Sequence, residues 1–219
     1  MHRIVESELM EDEAQVIAYA EADFDTPHSQ FIERLKAVIN NPDFSGLALD
    51  LGCGPGDISR RFVEAYPDAI LHAVDGSETM IRRGQLLISP ALQKRIRFVL
   101  GCLPSAILPN PDYDIIFSNS LLHHLHEPLV LWNFIKHYAR PGTCVAIMDL
   151  LRPDSKEIAQ FMVESYAANE PKILQQDFYN SLLAAFTLEE IKQQLESVDL
   201  TLNVGQSSDR HVFISGVMP

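Results

Sequence analysis

The sequence predicts a doubly wound α/β fold, a mostly parallel sheet of about seven strands with helices on both faces. Three observations carry this expectation. Between residues 46 and 150, short apolar runs alternate with stretches of helical period, the pattern of strands joined by right-handed crossovers. The runs, such as Leu47–Leu51 and Ile96–Leu100, are largely continuous, as strands buried on both faces of a sheet are. The first run ends in Gly52-Cys53-Gly54-Pro55-Gly56, which lets the backbone turn sharply into a helix and lets a ligand approach it closely.

The whole composition narrows the function classes. With 219 residues the chain suits one sizeable domain, and 47% apolar residues with no low-complexity stretch suit a globular one. No apolar run approaches the roughly 20 residues of a membrane span. The first residues, Met-His-Arg-Ile-Val-Glu-Ser-Glu, lack the apolar core of a signal peptide. Cys53, Cys102 and Cys144 show no paired or metal-ligand spacing, which suits a reducing cytoplasm. A formal charge of −13 speaks against nucleic acid and anionic membrane as partners, because phosphate contacts need clustered Lys and Arg. A small-molecule substrate fits better.

Residues 1–42 read as a helical cap. The first helix is expected around Asp12–Glu21. Asp25-Thr26-Pro27 is a start signal for the second, with Phe31, Leu35, Val38 and Ile39 on one apolar face and Asn40-Asn41-Pro42 as its stop. After the glycine loop, Asp57–Tyr66 reads as a helix whose free N–H groups point at whatever lies over the loop. Ala69–Val74 is the second strand and ends on Asp75-Gly76-Ser77. Asp75 follows Gly54 by 21 residues, the place of an acid that accepts the hydroxyls of a ligand ribose. The competing reading is a plain turn with Ser77 capping the next helix, which runs to about Ile88.

Ile96–Leu100 is the third strand and leads into Gly101-Cys102-Leu103-Pro104. Tyr113–Phe117 is the fourth, followed by Ser118-Asn119-Ser120-Leu121-Leu122-His123-His124-Leu125-His126. Pro128 starts a helix with Leu129, Trp132 and Ile135 inward, and Pro141-Gly142 turns the chain into the strand Cys144–Leu150. Beyond 150, Asp154 and Glu157 are spaced as a helix-start box, and Thr187 with Glu190 as another. Residues 169–186 give no clear pattern. Leu200–Val204 and His211–Val217 form a hairpin on the sheet edge. With no linker or repeat, residues 1–219 read as one domain: cap, core 46–150, and a closing part 151–219.

Asp50-Leu51-Gly52-Cys53-Gly54-Pro55-Gly56, with Asp75 at the next strand tip, resembles motif I and the ribose acid of the class I, Rossmann-like S-adenosylmethionine-dependent methyltransferases of the small-molecule type. A dinucleotide fingerprint wants a small residue where Asp57 stands, so the oxidoreductase alternative fits poorly. A non-catalytic cofactor-binding module is a second alternative. The resemblance implies S-adenosylmethionine as cofactor, S-adenosylhomocysteine as product and a last strand running antiparallel. It implies cofactor contacts from Asp50, Gly52, Cys53 and Gly54 in the first loop, and from Asp75, Gly76, Ser77 and Met80 in the second. It adds Cys102 and Leu103 on the adenine side, where relatives commonly carry an acid, and Asn119 and Ser120 after the fourth strand.

The acceptor side is less legible. His124 reads either as a general base near neutrality or as a hydrogen-bonding group that fixes the loop. Tyr19 reads either as facing the site or as packing the cap, whereas Phe24 is expected to pack. Specificity is expected in the cap and in 151–186, with Arg152, Tyr166, Phe178 and Tyr179 as further candidates. No metal is expected. Adjacent His123 and His124 would diverge on a strand or helix, and no carboxylate or cysteine cluster completes a tetrahedral set.

Overall fold

A computed structural model describes residues 1–219. Seven strands form one sheet: β1 (Leu47–Leu51), β2 (Ile70–Asp75), β3 (Ile96–Leu100), β4 (Tyr113–Asn119), β5 (Ala139–Leu150), β6 (Asn203–Gln206) and β7 (His211–Val217). Their order is β3-β2-β1-β4-β5-β7-β6. The first five pair in parallel, and β7 runs antiparallel to both β5 and β6. This is the doubly wound, Rossmann-like fold that the sequence predicts. The order reverses between β1 and β4, so a crevice opens beyond the carboxyl ends of those two strands.

Nine helices surround the sheet: α1 (Glu13–Glu21), α2 (Asp25–Ile39), α3 (Asp57–Ala65), α4 (Glu78–Leu87), α5 (Pro90–Gln93), α6 (Leu129–Tyr138), α7 (Lys156–Tyr166), α8 (Lys172–Ala184) and α9 (Leu188–Ser197). Alternation along each strand sends neighbours to opposite faces. Ala48 meets Phe31 and Leu35 of α2 and Phe62 of α3, while Leu49 meets the opposite core with Trp132 and Ile135 of α6 and Ile191 and Leu195 of α9. A third, smaller cluster joins α7 to α8 through Ala159, Val163, Leu182 and Leu183. No helix is long and apolar enough to cross a membrane.

Several local expectations need correction. α6 turns Leu131, Trp132, Phe134 and Ile135 inward and leaves Leu129 exposed, because the buried stripe is broader than a three-residue repeat. β5 begins at Ala139, so Pro141-Gly142 lies within it. Left-handed Gly142 (φ +90°) and a register shift opposite Tyr113 and Ile115 absorb that segment as an irregularity. α7 is capped by Ser155, whose Oγ accepts the Ile158 N–H at 3.3 Å, and not by Asp154. β6 starts at Asn203, since Asp199 (φ +52°) ends α9 and Leu200 is buried in the core. Residues 172–184 of the unreadable stretch are α8. By contrast, Thr187 and Glu190 form the expected capping box.

The cap is more than two helices. α1 packs against α4 and α8, and α2 against α3 and β5. Ahead of them the extended N-terminal segment is tied down along its length. Ile4 N–H donates to Leu183 O, Arg3 donates to the carbonyls of Ala184, His123 and Leu125, and Met10 O accepts the Ser77 hydroxyl.

Candidate active site

β1 passes through Gly52 and Gly54, both left-handed (φ +71° and +53°), into the N-terminus of α3. A Cβ on Gly52 would strike Leu121, whereas one on Gly54 would meet no protein atom within 4 Å. Gly54 therefore faces open space, where a side chain would intrude on the crevice. The adjoining strand tip supplies Asp75. Its Oδ2 accepts the Gly54 N–H and its Oδ1 the Ser77 N–H, both at 2.8 Å. Burial raises the Asp75 carboxyl, and these two backbone bonds partly offset the rise. Each oxygen keeps accepting capacity.

Asp50, one turn of chain earlier, is almost fully buried and accepts the Ser59 hydroxyl at 2.6 Å. Burial, with the Asp75 charge adding to it, pushes its carboxyl up to about 7. Ser77 caps α4 through the Met80 N–H, which places Met80 at the wall. Cys102 is an exposed free thiol that limits the space over Gly76, and Leu103 stands beside it at the rim. After β4, Ser120 is left-handed (φ +61°) and Asn119 Oδ1 is buried with no hydrogen-bond partner.

These groups line one cavity of about 700 Å³, within the size range of ligand pockets. Every cofactor candidate of the sequence reading stands at it: Asp50, Gly52, Cys53, Gly54, Asp75, Gly76, Ser77, Met80, Cys102, Leu103, Asn119 and Ser120. So do Tyr19, Phe24, His124, Tyr166 and Phe178. Arg152 and Tyr179 do not. Arg152 is bound to Glu190 at 2.6 Å and to the Ala185 carbonyl, and Tyr179 packs between α7 and α8.

Asp57 explains its own misfit to a dinucleotide loop. It accepts from Arg60 (2.6 Å) and Arg61 (2.7 Å), and lies 2.7 Å from His28 Nδ1. Burial opposes ionisation, but His28, Arg60 and Arg61 hold the carboxyl far below the usual range. The residue pins the cap helix α2 to the start of α3, where an anion also suits the helix dipole.

The acceptor side differs most from expectation. His123 and His124 lie in a 3-10 turn, Leu122–His124, and do not diverge: their ring centroids are 4.1 Å apart. Nor is a carboxylate missing. Glu6 from the N-terminal segment brings Oε1 to 3.2 Å from His124 Nδ1 and 3.7 Å from His123 Nε2. His123 is a buried wall residue whose Nδ1 lies 2.6 Å from Asp149 Oδ1. Asp149 also accepts the Leu122 and Leu150 N–H groups. Burial works against both charges, yet each partner favours the other, so Asp149 is held down and His123 is raised. His126 is exposed and bonds to Glu6 O. Tyr19 is tilted against Phe24 (5.0 Å), and burial pushes its phenol up to about 12, so it is a donor at neutral pH and not a base.

Sequence reasoning missed Glu8, Leu9 and Met10, and Asp177, Ser181, Arg210 and His211, which line the cavity, and Glu6, which reaches the histidine turn. No local pattern marks them, because each arrives from a segment distant in the chain. Tyr166 is held by Asp209 through its hydroxyl, with the Arg210 guanidinium 3.5 Å over its ring.

Comparison with known proteins follows the same division between core and periphery. Residues 48–142 match the family model of a methyltransferase domain. This methyltransferase-domain match covers the glycine loop, Asp75 and the histidine turn. An uncharacterized methyltransferase of Mycobacterium tuberculosis is 30% identical over 105 residues, 48% of this chain and 51% of that protein. The trans-aconitate 2-methyltransferase of the same species is 33% identical over 102 residues, 45% of this chain and 35% of that one. The chain thus spans about half or less of the length of these curated relatives. Among solved structures, an S-adenosylmethionine-dependent methyltransferase from Aquifex aeolicus superposes with a TM-score of 0.68 at 17% identity, covering 95% of this chain and 99% of that one. A plantazolicin methyltransferase in complex with S-adenosylhomocysteine gives 0.63 at 17%, covering 93% and 95%. These likenesses establish the fold.

Proposed function

We propose that the chain is an S-adenosylmethionine-dependent methyltransferase acting on a small-molecule acceptor at oxygen or nitrogen, with S-adenosylhomocysteine as product. The observation that carries this reading is Asp75, locked to Gly54 at the switch point with a free accepting edge. The cofactor fits the residues present. Gly54 leaves room that a Cβ would fill, Asn119 Oδ1 is a buried acceptor without a donor, and Asp75 is the acid a ribose requires. The methyltransferase-domain match over 48–142 and the named activities of the relatives support the same assignment.

In this mechanism Asp75 accepts the ribose hydroxyls, and the free N–H groups at the start of α3 complement the polar end of the ligand. Asp50 and Asn119 face its amino-acid part, while Met80, Cys102 and Leu103 flank the adenine. The cofactor supplies an electrophilic methyl group on a sulfonium. The chain's own contribution is alignment and exclusion of water under the N-terminal segment and α1. His124 takes the acceptor's proton if the acceptor is protonated at working pH, and otherwise orients it. Tyr19 orients as a donor. Tyr166, Glu170, Asp177, Phe178 and Ser181 shape the acceptor end.

The whole chain acts as one unit, with residues 1–42 as the cap, and its three free cysteines support a reducing cytoplasm. An oxidoreductase is disfavoured by Asp57, a larger, ion-paired residue where a dinucleotide loop takes a small one. Calorimetric titration with S-adenosylmethionine and S-adenosylhomocysteine, with NADH as control, tests the cofactor. Micromolar binding of the first two alone is expected. Binding of NADH alone would overturn the reading, and cofactor binding with no acceptor turned over from a broad small-molecule panel would leave a binding module instead.

A further inference from the structure

The turn that carries His123 and His124 holds more than a proton relay needs. Asp149 Oδ1 lies 2.6 Å from His123 Nδ1, and its other bonds come from two backbone N–H groups, so the ring is fixed with Nδ1 as the donor. The other ring nitrogen, Nε2, faces Glu6 Oε1 at 3.7 Å, beyond hydrogen-bond distance. His124 Nδ1 is buried, has no hydrogen-bond partner, and lies 3.2 Å from the same oxygen. The three atoms lie within 4.8 Å of one another. Ligands of a tetrahedral ion at bond lengths of about 2.0–2.1 Å stand roughly 3.3 Å apart, so a small contraction closes the set.

We propose that Glu6, His123 and His124 bind a divalent transition-metal ion of the zinc class at the cavity wall, with Asp149 orienting His123. Two imidazoles and one carboxylate suit zinc, cobalt or nickel and not magnesium or calcium, which take oxygen ligands. A carboxylate on the far nitrogen of a metal-bound histidine is the usual supporting partner. Three protein ligands leave at least one coordination position for water or for an oxygen or nitrogen donor, as in sites that act on substrate. Glu6 is also fixed in place: Ser181 donates to its Oε1 at 3.0 Å, and Ile4 and Met10 anchor the segment on either side. Arg3 is the cation packed on this turn, and its bonds go to the carbonyls of Ala184, His123 and Leu125 and not to Glu6. The inference does not depend on the cofactor reading, because it concerns only residues of the N-terminal segment, the turn and β5; with a metal on its Nδ1, His124 would orient an acceptor and not take its proton.

The test uses the full chain, free of any histidine tag, stripped with a chelator and titrated with zinc by calorimetry and with cobalt by visible absorption. No cofactor is added, so the result is separate from the cofactor titration. One equivalent of tightly bound metal is expected, with the visible bands of a low-coordinate cobalt site. Glu6→Gln and His124→Ala should each weaken binding by roughly a hundredfold, and Asp149→Asn by about 10–100-fold. Circular dichroism and melting of the metal-free variants check that they fold; Glu6→Gln, near the chain terminus, is the variant least able to unfold the core. Absence of stoichiometric binding to the intact protein, or binding unchanged by both Glu6→Gln and His124→Ala, overturns the site.

Discussion

Asp75 and Gly54, on different loops, are one hydrogen-bonded unit: the Asp75 Oδ2 atom accepts the Gly54 N–H at 2.8 Å. The bond orients the carboxylate and sets the height of the glycine loop together. Replacing Asp75 by Ala should therefore weaken S-adenosylhomocysteine binding by about 1–3 kcal/mol, roughly fivefold to 150-fold, by calorimetry. Unchanged affinity would refute the ribose assignment.

Gly54→Ala separates fold from binding. The new methyl meets no protein atom, so the cost to stability is the left-handed backbone alone, about 1–2 kcal/mol and a few degrees of melting temperature. Cofactor affinity should fall far more than stability does. A variant that melts lower yet binds normally would place the ligand elsewhere.

Asp50 gives a pH signature. Its folded carboxyl is pushed up to about 7 by burial, above its ordinary unfolded value, so the native state binds the extra proton. The contribution is fully present below the unfolded value and is lost as pH rises through about 7. Asp50→Asn keeps an acceptor for the Ser59 hydroxyl and removes the ionisation. In urea unfolding at pH 5 and pH 8, the loss of stability toward pH 8 should be smaller in Asp50→Asn than in the parent. Equal losses would remove Asp50 as the source.

Asp57 has the opposite sign. Its carboxyl is depressed by His28, Arg60 and Arg61, so its contribution is present above the ordinary carboxylate range and fades as pH falls through and below it. The side chain is about a third exposed, which screens these pairs. Asp57→Ala should cost about 1–2 kcal/mol at pH 7 and somewhat less at pH 3, with the rest of the cost fading only at still lower pH, read by urea unfolding. A cost independent of pH would mean that packing, not charge, joins α2 to α3.

A purely internal contact offers a control away from the cavity. Trp132 Nε1 donates to Gln194 Oε1 at 2.9 Å, both buried, and joins α6 to α9. Gln194→Leu leaves that N–H unpaired and should destabilise by about 1–3 kcal/mol without changing cofactor affinity. Altered affinity would mean that this helix pair shapes the site.

What the sequence determined by itself is local. The glycine loop, the Asp75 strand tip, β3 to its exact ends and the Thr187–Glu190 box were legible because each is fixed by neighbours a few residues away: period, turn chemistry, capping. Given those, the parallel core and its cofactor crevice follow from how βαβ units must pack. Tertiary structure alone decided the acceptor side. Glu6 reaches the histidine turn across more than a hundred residues of chain, Asp149 fixes His123 from a neighbouring strand, and Asp57 keeps its charge because His28 arrives from the cap. The histidines were expected to diverge because helix and strand geometry were the only templates considered, and a 3-10 turn stacks their rings instead. Contacts of this kind carry no spacing in the sequence. They exist only once the sheet, the cap and α8 have brought their segments to one cavity.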